Sequence, residues 1–600
     1  MTNRFFIVVA CRNAEKTLAR AVQSVRDQRH RDWAMVIVDD QSTDGTGAIA
    51  EEFAARDSRI AAVKNTERKF ALRNIVEAIW SRAPHDSIVL TVDGDDLLSD
   101  PDALSAVAAE YDRTGCDALW TRYQCLDGAP GISRPLMTGD PLTCPWTMSH
   151  LRTFRKPLIF ALPPALYKNP RYGCWWRYTY DQLIFRSVLH CAKKHVFLDR
   201  VCYLYNVPAF EPDYVDLQRQ NATDMEKILP AEFEKPRRIA LIVNGRSAGS
   251  DPRFYYGERR APLGILTMAA HLIARKHVVK IFDRHAEPGQ PENLARAIQE
   301  FGANAAGVYV NTPNWADGKQ ILADLKQVKG LYVAAGGPHA ILRPGEVLAA
   351  GAHSACTGEA DFLISKIVRE KPAGIVPGER LENLDAAPFP AFELLDPNKY
   401  ETTWTYSGAA PVFQLASSRG CLGWCAFCQT RDLYGREFRA QSPERMLCDA
   451  LHLMDYFGAR GIYYREDHFG QNVDRVRAFC KLLIRSGRKL EWACEVRADR
   501  ANSPGLLDLM AAAGCVGLYM GIEAATDRML LDVFHKGLRA AKIRPAIAAA
   551  KRCGIKLALS FIEGHPLETR ADVEAREKLI SETRPETVHR CAFRPKGLNV

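Results

Sequence analysis

SRGCLGWCAFC, the stretch from Ser418 to Cys428, places Cys421, Cys425 and Cys428 in one short loop with C-x-x-x-C-x-x-C spacing. Thiolates are soft ligands that favour zinc or iron–sulfur clusters. A closed structural zinc site normally has four protein ligands, and no fourth cysteine stands close to this loop. The loop therefore predicts a metal centre with one position open for chemistry. The alternatives are part of a zinc site or three unrelated cysteines.

The spacing, with the aromatic Phe427 just before the last cysteine, resembles the signature of the radical S-adenosylmethionine (SAM) enzymes. The resemblance implies that the three cysteines hold a four-iron four-sulfur ([4Fe-4S]) cluster. It also implies that the fourth iron binds the amino and carboxylate groups of SAM, with Phe427 in the cofactor-binding region. Such a cluster needs an electron donor, such as a flavodoxin or ferredoxin.

Residues 411–600 contain six apolar stretches separated by helical stretches, which predicts an open, partial (β/α)6 TIM-like barrel with reactive groups at the strand ends. By resemblance to the family, Glu466, Arg497 and Glu523 are candidate SAM contacts, although each could instead belong to a salt bridge. The chain ends soon after the last stretch, so we expect a barrel domain that is truncated or lacks a substrate-binding cap. The predicted strands are Val412–Ala416, Gly461–Tyr464, Leu490–Cys494, Gly517–Gly521, Leu557–Phe561 and His589–Phe593.

Residues 237–372 alternate apolar strands with helical stretches, which predicts a doubly wound, flavodoxin-like or Rossmann-like parallel sheet. The absence of G-x-G-x-x-G after the first strand argues against NAD. The segments APLGILTMAAHL, GGPHA, TGEAD and PFPAFELLD resemble the cobalamin-binding domain that precedes many radical SAM domains. The resemblance implies cobalamin near Gly336, Gly337 and His339, while His339 could equally be structural. The D-x-H-x-x-G motif is missing from its expected place, so we expect His285 in a surface loop and no histidine on cobalt.

Residues 1–207 begin with a strand, a helix and a strand, followed by the polar loop Asp39–Thr46. A later strand, Ser87–Val92, runs into Asp93–Asp96. This order predicts a parallel α/β sheet with carboxylates at its ligand-binding edge. Such oxygen-rich loops suit a divalent cation that bridges phosphate oxygens, although Asx turns and helix caps use the same residues.

VVACRNAEKTLARAVQSVRDQ, VDDQSTDGT and VDGDD, in this order, resemble a family 2 glycosyltransferase of the GT-A fold. The resemblance implies that Asp40 lies by the nucleotide base, Asp93 by the ribose and Asp95 on a manganese or magnesium ion. The run from Tyr180 to Leu183 resembles the family's E-D-x-x-L element, which makes Asp181 the candidate catalytic base. Asp181 as a helix-capping or solvated residue is the alternative.

Two departures from the family pattern favour a different role for this segment. Tyr180 stands where an acid is usual, and Asn206 follows Tyr205 where arginine is common. The alternative is therefore a radical SAM enzyme whose N-terminal domain binds a sugar-nucleotide or glycan without catalysis.

The composition, with 47% apolar and 25% charged residues, is that of an ordinary globular protein. A net charge of +9 is small for 600 residues and does not imply nucleic acid. No stretch approaches the roughly 18 apolar residues of a membrane-spanning helix. The 17 scattered cysteines do not suggest a disulfide framework, and an oxygen-sensitive cluster needs a reducing compartment, so we expect a cytoplasmic protein.

The whole chain is predicted to be an α/β protein of three domains. Residues 1–207 form the glycosyltransferase-like domain, 208–236 a linker, 237–372 the cobalamin-binding domain, 373–410 a connecting segment and 411–600 the radical SAM domain. The fused resemblances imply a bifunctional enzyme that transfers sugar from a nucleotide-sugar and performs cobalamin-dependent radical chemistry, with C-methylation as the leading reaction. The expected acceptor is a glycan or a glycosylated small molecule.

Overall fold

A computed structural model of the chain describes residues 3–136, 139–207, 212–233, 235–245, 260–286, 293–400 and 402–594. The chain divides into two compact units. The first comprises residues 1–236 with 274–276, and the second comprises residues 237–273 with 277–600. Three large sheets, each accompanied by helices, confirm the predicted multi-domain α/β class.

The first unit contains an eight-stranded sheet of order β3-β2-β1-β4-β7-β6-β8-β5. Strands β1 to β4 are mutually parallel, as predicted, whereas β7 runs antiparallel to both β4 and β6. The strands are β1 Phe5–Cys11, β2 Trp33–Asp39, β3 Ile60–Lys64, β4 Ile88–Thr91, β5 Leu97–Leu98, β6 Ala118–Cys125, β7 Arg152–Arg155 and β8 His195–Tyr205.

Amphipathic helices cover this sheet. In the first helix, Leu18, Ala21, Val22 and Val25 are buried, which is the spacing of one helix face. Strand β1 is apolar along its length and buried almost throughout, as expected of a parallel strand covered on both faces. The helices are α1 Leu18–Arg26, α2 Thr46–Arg56, α3 Phe70–Arg82, α4 Ala103–Thr114, α5 Tyr180–Cys191 and α6 Pro212–Glu232.

Helix α6 lies within the segment predicted to be a linker. It packs on its own unit, where Arg171 forms an ion pair with Asp224 at 2.9 Å and Thr179 Oγ1 donates to the Gln218 carbonyl at 3.1 Å. The mixed charge and the prolines of this segment did not predict a helix, because tertiary contacts stabilise it.

The second unit begins with a six-stranded, fully parallel sheet of order β10-β9-β11-β12-β13-β14. The order reverses between β9 and β11, which is where doubly wound sheets bind ligands. Strand β14 lies beyond residue 372, where we placed the end of this domain. We did not predict this strand because its three residues are too few to show a periodic pattern. The strands are β9 Arg238–Val243, β10 Val278–Asp283, β11 Ala305–Tyr309, β12 Tyr332–Gly336, β13 Ser354–Cys356 and β14 Gly374–Val376.

A second six-stranded parallel sheet, of order β15-β18-β19-β20-β21-β22, forms the predicted partial barrel. Its edge strands β15 and β22 each pair with one neighbour, so the barrel is open. A short antiparallel ladder, β16 with β17, flanks the cysteine loop. The strands are β15 Val412–Leu415, β16 Ser418–Arg419, β17 Arg439–Ala440, β18 Gly461–Tyr464, β19 Glu491–Glu495, β20 Cys515–Glu523, β21 Lys556–Glu563 and β22 Thr587–Ala592.

The floor of the barrel is closed by the segment that leads into it. Trp404 lies so close to Gly461 that a Cβ there would approach its ring to 2.8 Å, and Tyr406 similarly fills the space beside Gly517. The helices of this unit are α7 Leu263–Ala274, α8 Leu294–Phe301, α9 Trp315–Leu325, α10 Pro338–Leu342, α11 Pro344–Ala349, α12 Leu363–Glu370, α13 Thr430–Tyr434, α14 Pro443–Phe457, α15 Val473–Arg485, α16 Ala498–Ala501, α17 Leu506–Ala512, α18 Ile543–Arg552 and α19 Arg570–Thr583.

Across the described ranges, no helix combines the length and the apolar character needed to cross a membrane. All 17 cysteines are free thiols, as the sequence led us to expect.

Candidate functional site

The three cysteines lie on the loop that follows β15 and β16, at the carboxyl end of the first barrel strand. All three are half-buried. Gly423 stands between two of them, because a Cβ on it would lie 3.3 Å from Cys421 Sγ and 3.7 Å from Cys425 Sγ. Both sulfurs therefore lie beside the same small space, and a larger residue at Gly423 would require Cys421 Sγ to shift slightly.

The charges of the third cysteine and of two cations act on these two thiols. Burial raises the pKa of Cys421 and of Cys425, and the charge that Cys428 carries as a thiolate raises both further. Arg497 opposes the shift at both thiols, and Lys536 opposes it at Cys425. Since thiolates are the form that binds metal, these cations favour the ligating state.

No three His, Cys, Asp or Glu side chains of the described residues converge closely enough to enclose a single metal ion. A four-iron cluster spreads its cysteine ligands over separate irons, so three half-buried cysteines on one short loop fit it.

Asp467 ties both ends of the cysteine loop to the second barrel strand. Its carboxylate accepts hydrogen bonds from the Gly420 amide at 3.1 Å and from Thr430 Oγ1 at 2.8 Å. Burial raises its pKa, although these two donors act in the opposite direction.

The predicted SAM contact Glu466, the residue before Asp467, is buried just after β18. Its carboxylate accepts from the Ser417 amide at 2.7 Å and from the hydroxyls of Ser417 and Ser418. Both acids therefore bond the region that carries the cysteines, Glu466 at Ser418 and Asp467 at Gly420 and Thr430. The SAM contact at Glu466 stays a prediction, and Asp467 is an additional acid at the loop that was not among the predicted site residues.

Arg497 and Glu523, the other two predicted SAM contacts, come together through Lys536. Lys536 Nζ donates to Glu523 Oε1 at 3.2 Å, and Arg497 Nη2 donates to the Lys536 carbonyl at 2.9 Å. Glu523 has φ +67°, where β20 and β21 lose their register. Such strain is common at functional sites. Lys536 was missed because it follows its strand at a distance, within an irregular segment.

Phe427 fixes the other side of the loop. Its ring packs edge-on against Phe534, with centroids 5.4 Å apart, and the Ala426 amide donates to the Phe534 carbonyl at 2.8 Å. The aromatic before the last cysteine thus anchors the loop to the segment that also carries Lys536.

A cavity of about 990 Å³ lies between the two sheets of the second unit. Ser418 and Arg419, which precede the first cysteine, line it, and so do Gly336 and Gly337 at the end of β12. Gly337 has φ +103°, and a Cβ there would approach the Val310 carbonyl to 2.7 Å. Packing against the neighbouring strand end therefore requires this glycine.

The same cavity offers an unused acceptor at the topological switch. Asn244, just after β9, is buried and lines the cavity, and its Oδ1 has no hydrogen-bond partner among the described residues. The cavity lies at the strand ends, and a ligand with an N–H group could donate to the unpaired oxygen of Asn244. These features fit a bulky cofactor with amide groups, such as cobalamin.

The two histidines of this region lie in different surroundings. His339 does not line the cavity; it is buried, its ring stacks on Trp315 at 4.0 Å, and its Nδ1 lies 3.1 Å from Thr312 Oγ1. His285 does line the cavity, although we expected it in a surface loop. Asp283 causes this placement, because its carboxylate accepts from the amides of residues 285 and 286 and folds the turn inward.

Inside the barrel, Glu495 and Tyr463 form a polar pair on the cavity wall. Tyr463 Oη donates to Glu495 Oε1 at 3.2 Å. Burial raises the pKa of Glu495 to about 7, while nearby Arg465 opposes the shift. The accessible part of this side chain faces the cavity.

In the first unit, the structure brings Asp93, Asp181 and Arg152 together around a small pocket at the end of β4. Arg152 Nη1 donates to Asp181 Oδ2 at 2.8 Å. Burial raises the pKa of Asp93 to about 6; Arg152 opposes this shift, and the charges of Asp95 and Asp181 add to it. Two predicted site residues thus share one cation that sequence reasoning did not identify.

The remaining predicted residues of this unit lie close by. Asp95 accepts from Asn206 Nδ2 at 3.1 Å, so the departure at Asn206 places an amide on the predicted metal ligand. Asp40 accepts from the Lys69 and Phe70 amides, each at 2.8 Å, and thereby holds the start of α3. Burial alone would raise the pKa of Asp40, but hydrogen bonds from these amides and from asparagine side chains lower it.

Comparisons with known proteins agree with this architecture. The sequence model described as Glycosyl transferase family 2 matches residues 6–160, and that of the Radical SAM superfamily matches residues 415–580. An uncharacterized methyltransferase of Pyrococcus horikoshii is 28% identical over 342 residues, which cover 53% of this chain and 72% of that protein. The hopanoid C-2 methylase of Rhodopseudomonas palustris is 28% identical over 289 residues, which cover 46% of this chain and 50% of that protein.

Among solved structures, the cobalamin-dependent S-adenosylmethionine radical enzyme OxsB with aqua-cobalamin bound superposes with a TM-score of 0.49 and 16% identity. The superposition covers 60% of this chain and 53% of OxsB. On the matches of the two sequence models, the chain carries a glycosyl transferase family 2 domain at residues 6–160 and a radical SAM superfamily domain at residues 415–580.

Proposed function

We propose that residues 237–600 form a cobalamin-dependent radical SAM methyltransferase. The observation that carries the proposal is the position of the cysteine loop, whose leading residues line the same cavity as the strand ends of the flavodoxin-like sheet. A radical formed at the loop and a methyl donor held by that sheet would then face one substrate. The methyltransferase relatives support the same reaction class.

When bound, the cluster with SAM supplies a radical that removes hydrogen from an unreactive carbon, and methylcobalamin supplies the methyl group. Cys421, Cys425 and Cys428 would hold three irons and leave the fourth for SAM. Asp467 keeps the loop in place through its two hydrogen bonds. Arg497 lies beside the thiols, where its positive charge favours their ligating form.

The cavity wall has a separate part to play. Buried side chains of both sheets surround the space and limit the access of water to a reactive radical. Asn244 would donate no proton; its free Oδ1 would accept from a cofactor amide. Glu495 and Tyr463, deeper in the barrel, would contact the substrate.

The test is reductive SAM cleavage by the chain, reconstituted anaerobically with iron, sulfide and hydroxocobalamin. We expect 5′-deoxyadenosine with dithionite as reductant, and its loss in Cys425→Ala. Cys553→Ala, which removes a half-buried thiol outside the loop, is the matched control and should retain activity. SAM consumption without deoxyadenosine would contradict radical chemistry, and failure to retain cobalamin would contradict the methyl donor.

We further propose that residues 1–207 bind a nucleotide-sugar and a divalent cation and transfer the sugar to a glycan or a glycosylated small molecule. The supporting observation is the group formed by Asp93, Asp181 and Arg152 at the end of β4, with the charge of Asp95 acting on Asp93. Asp95 would bind the cation, and Asp181 would accept the proton of the acceptor hydroxyl. Shared substrates would then explain the fusion, and the oxygen-sensitive cluster suits a cytoplasmic location.

A binding module is the second candidate for this domain. The ion pair with Arg152 at 2.8 Å occupies one oxygen of Asp181, which favours this alternative. Hydrolysis of UDP- and GDP-sugars with manganese decides between the two. Metal-dependent turnover that is lost in Asp95→Ala and retained in the exposed control Asp127→Ala supports transfer, whereas binding without turnover supports the module.

A further inference from the structure

The cysteine loop exposes two large apolar side chains to solvent. Leu422 is 45% exposed and Trp424 is 54% exposed, and both lie between Cys421 and Cys425. Neither residue lines the large cavity. Burial of such side chains is favourable, so folding alone gives no reason to place two of them outside. Adjacent exposed apolar groups commonly mark an interaction site.

Two arginines organise this patch from the segment after the loop. The Arg436 guanidinium lies 3.9 Å from the centroid of the Trp424 ring, and its Nε donates to the Leu422 carbonyl at 3.2 Å. The Arg431 guanidinium approaches the same ring at 5.7 Å. The arginines thus hold the tryptophan in one orientation and surround it with positive charge.

Within the described ranges, neither Arg431 nor Arg436 forms an ion pair with a carboxylate. The nearest acid along the chain after Arg436 is Glu437, and it is paired with Arg380. An aromatic centre flanked by unpaired arginines is the composition of a protein-binding surface that attracts acidic partners.

We propose that Leu422, Trp424, Arg431 and Arg436 form the docking surface for a small acidic electron-carrier protein of the flavodoxin kind. This inference rests on the proposed radical SAM function, because only a redox centre at the three cysteines gives such a partner a purpose. The carrier loses one electron, and the cluster gains it. No covalent bond of either protein forms or breaks in this step.

The geometry suits this partner because the apolar side chains belong to the ligand loop itself. A carrier seated on Trp424 would contact the loop that carries Cys421 and Cys425. Redox encounters generally use small, transient interfaces steered by charge. The long arginines can supply that steering, while Leu422 and Trp424 supply the contact.

The experiment compares the reconstituted wild type with the charge-reversed variant Arg431→Glu/Arg436→Glu. Arg485→Glu/Arg552→Glu, which reverses two exposed arginines on α15 and α18, is the matched control. Iron and sulfide content per chain establishes that each protein carries its cluster. Flavodoxin binding is measured directly by biolayer interferometry at about 50 and about 300 mM NaCl. Salt screens the charges much more strongly at the higher concentration.

We expect wild type and control to bind flavodoxin with an affinity that falls as salt rises, and the Arg431/Arg436 variant to bind at least about tenfold more weakly at low salt. SAM cleavage driven by reduced flavodoxin should fall in parallel, while cleavage driven by dithionite stays within about twofold, because dithionite needs no docking surface.

Equal flavodoxin binding by the variant and the wild type, or no binding by the wild type, would overturn the docking surface. Absence of dithionite-driven cleavage in the wild type would instead refute the proposed function. The two failures are therefore distinguishable, and the binding measurement judges the surface in either case.

Discussion

Arg419 binds Asp361 through two parallel hydrogen bonds, Nη1 to Oδ2 at 2.8 Å and Nη2 to Oδ1 at 2.7 Å. Arg419 stands two residues before Cys421, and Asp361 follows β13 in the other sheet of the same unit. Glu359 extends the contact to Arg439 on β17. The strand that leads into the cysteine loop is thereby attached to the flavodoxin-like sheet.

Asp361→Asn is expected to loosen this attachment. Removing the charge of Asp361 leaves Arg419 with Glu359, which also pairs with Arg439, as its remaining partner, and losing charged hydrogen bonds of this kind costs roughly 1.5–3 kcal/mol. Burial raises the pKa of Asp361, but Arg419 lowers it by more. The net pKa lies below its ordinary value, so the carboxylate is charged at neutral pH. We expect a lower midpoint of thermal unfolding and faster loss of iron. Asp396→Asn, at an exposed turn, should change neither, and an unaltered Asp361→Asn protein would refute the coupling.

Asp467→Ala should release both ends of the cysteine loop, because it removes the acceptors of Gly420 and Thr430. Each lost hydrogen bond costs about 1 kcal/mol, so the fold should survive. We expect less iron per chain after reconstitution, measured by iron analysis. Far-ultraviolet circular dichroism shows whether the variant is folded. Asp474→Ala on α15 serves as control. Full iron content in the Asp467 variant would contradict the role of this residue.

Glu495 predicts a pH dependence of stability. Its pKa is raised to about 7 in the folded chain, against about 4.5 when unfolded, so the stabilising contribution is fully present below about pH 4.5 and is lost as pH rises through about 7. Relative to Glu495→Gln, the wild type should lose on the order of 2 kcal/mol between pH 5 and pH 8. Urea unfolding at both pH values measures the difference, and Glu574→Gln on the exposed face of α19 is the control. A constant difference would contradict the burial of this carboxyl.

Arg152→Met should destabilise the first unit and weaken its affinity for nucleotides. The change leaves the carboxylates of Asp93 and Asp181 facing each other without a cation, at a cost of about 3 kcal/mol. Arg122→Met breaks an exposed pair with Asp199 and should cost less than about 1 kcal/mol. Thermal unfolding and calorimetry with UDP and GDP compare the two. Equal effects would show that the buried cluster has no special importance.

Much of the fold could be predicted because its signals are local. The six barrel strands follow from short apolar stretches, and Gly461–Tyr464 occupies the predicted residues. Three-residue β14 and helix α6 could not be predicted, since the first is too short for a period and the second depends on partners such as Arg171. Longer-range packing, absent from local pattern, decides such elements.

The candidate site divides in the same way. The sequence alone predicts a ligand loop after a buried strand, because a few consecutive residues fix the spacing of Cys421, Cys425 and Cys428. Sequence alone could not show that Glu466 bonds Ser417 and Ser418 while Asp467 bonds Gly420 and Thr430, since both acids lie in a bend after β18 whose geometry depends on packing.

The sequence by itself determined three α/β regions and one ligand loop, because periodicity and cysteine spacing act over a few residues. Tertiary structure alone decided that Asp361 holds Arg419, which is 58 positions away, and that Lys536 joins Glu523 to Arg497. Such pairs form only when separate strands and helices pack. The burial that results lowers the local dielectric constant and strengthens the interaction between the paired charges.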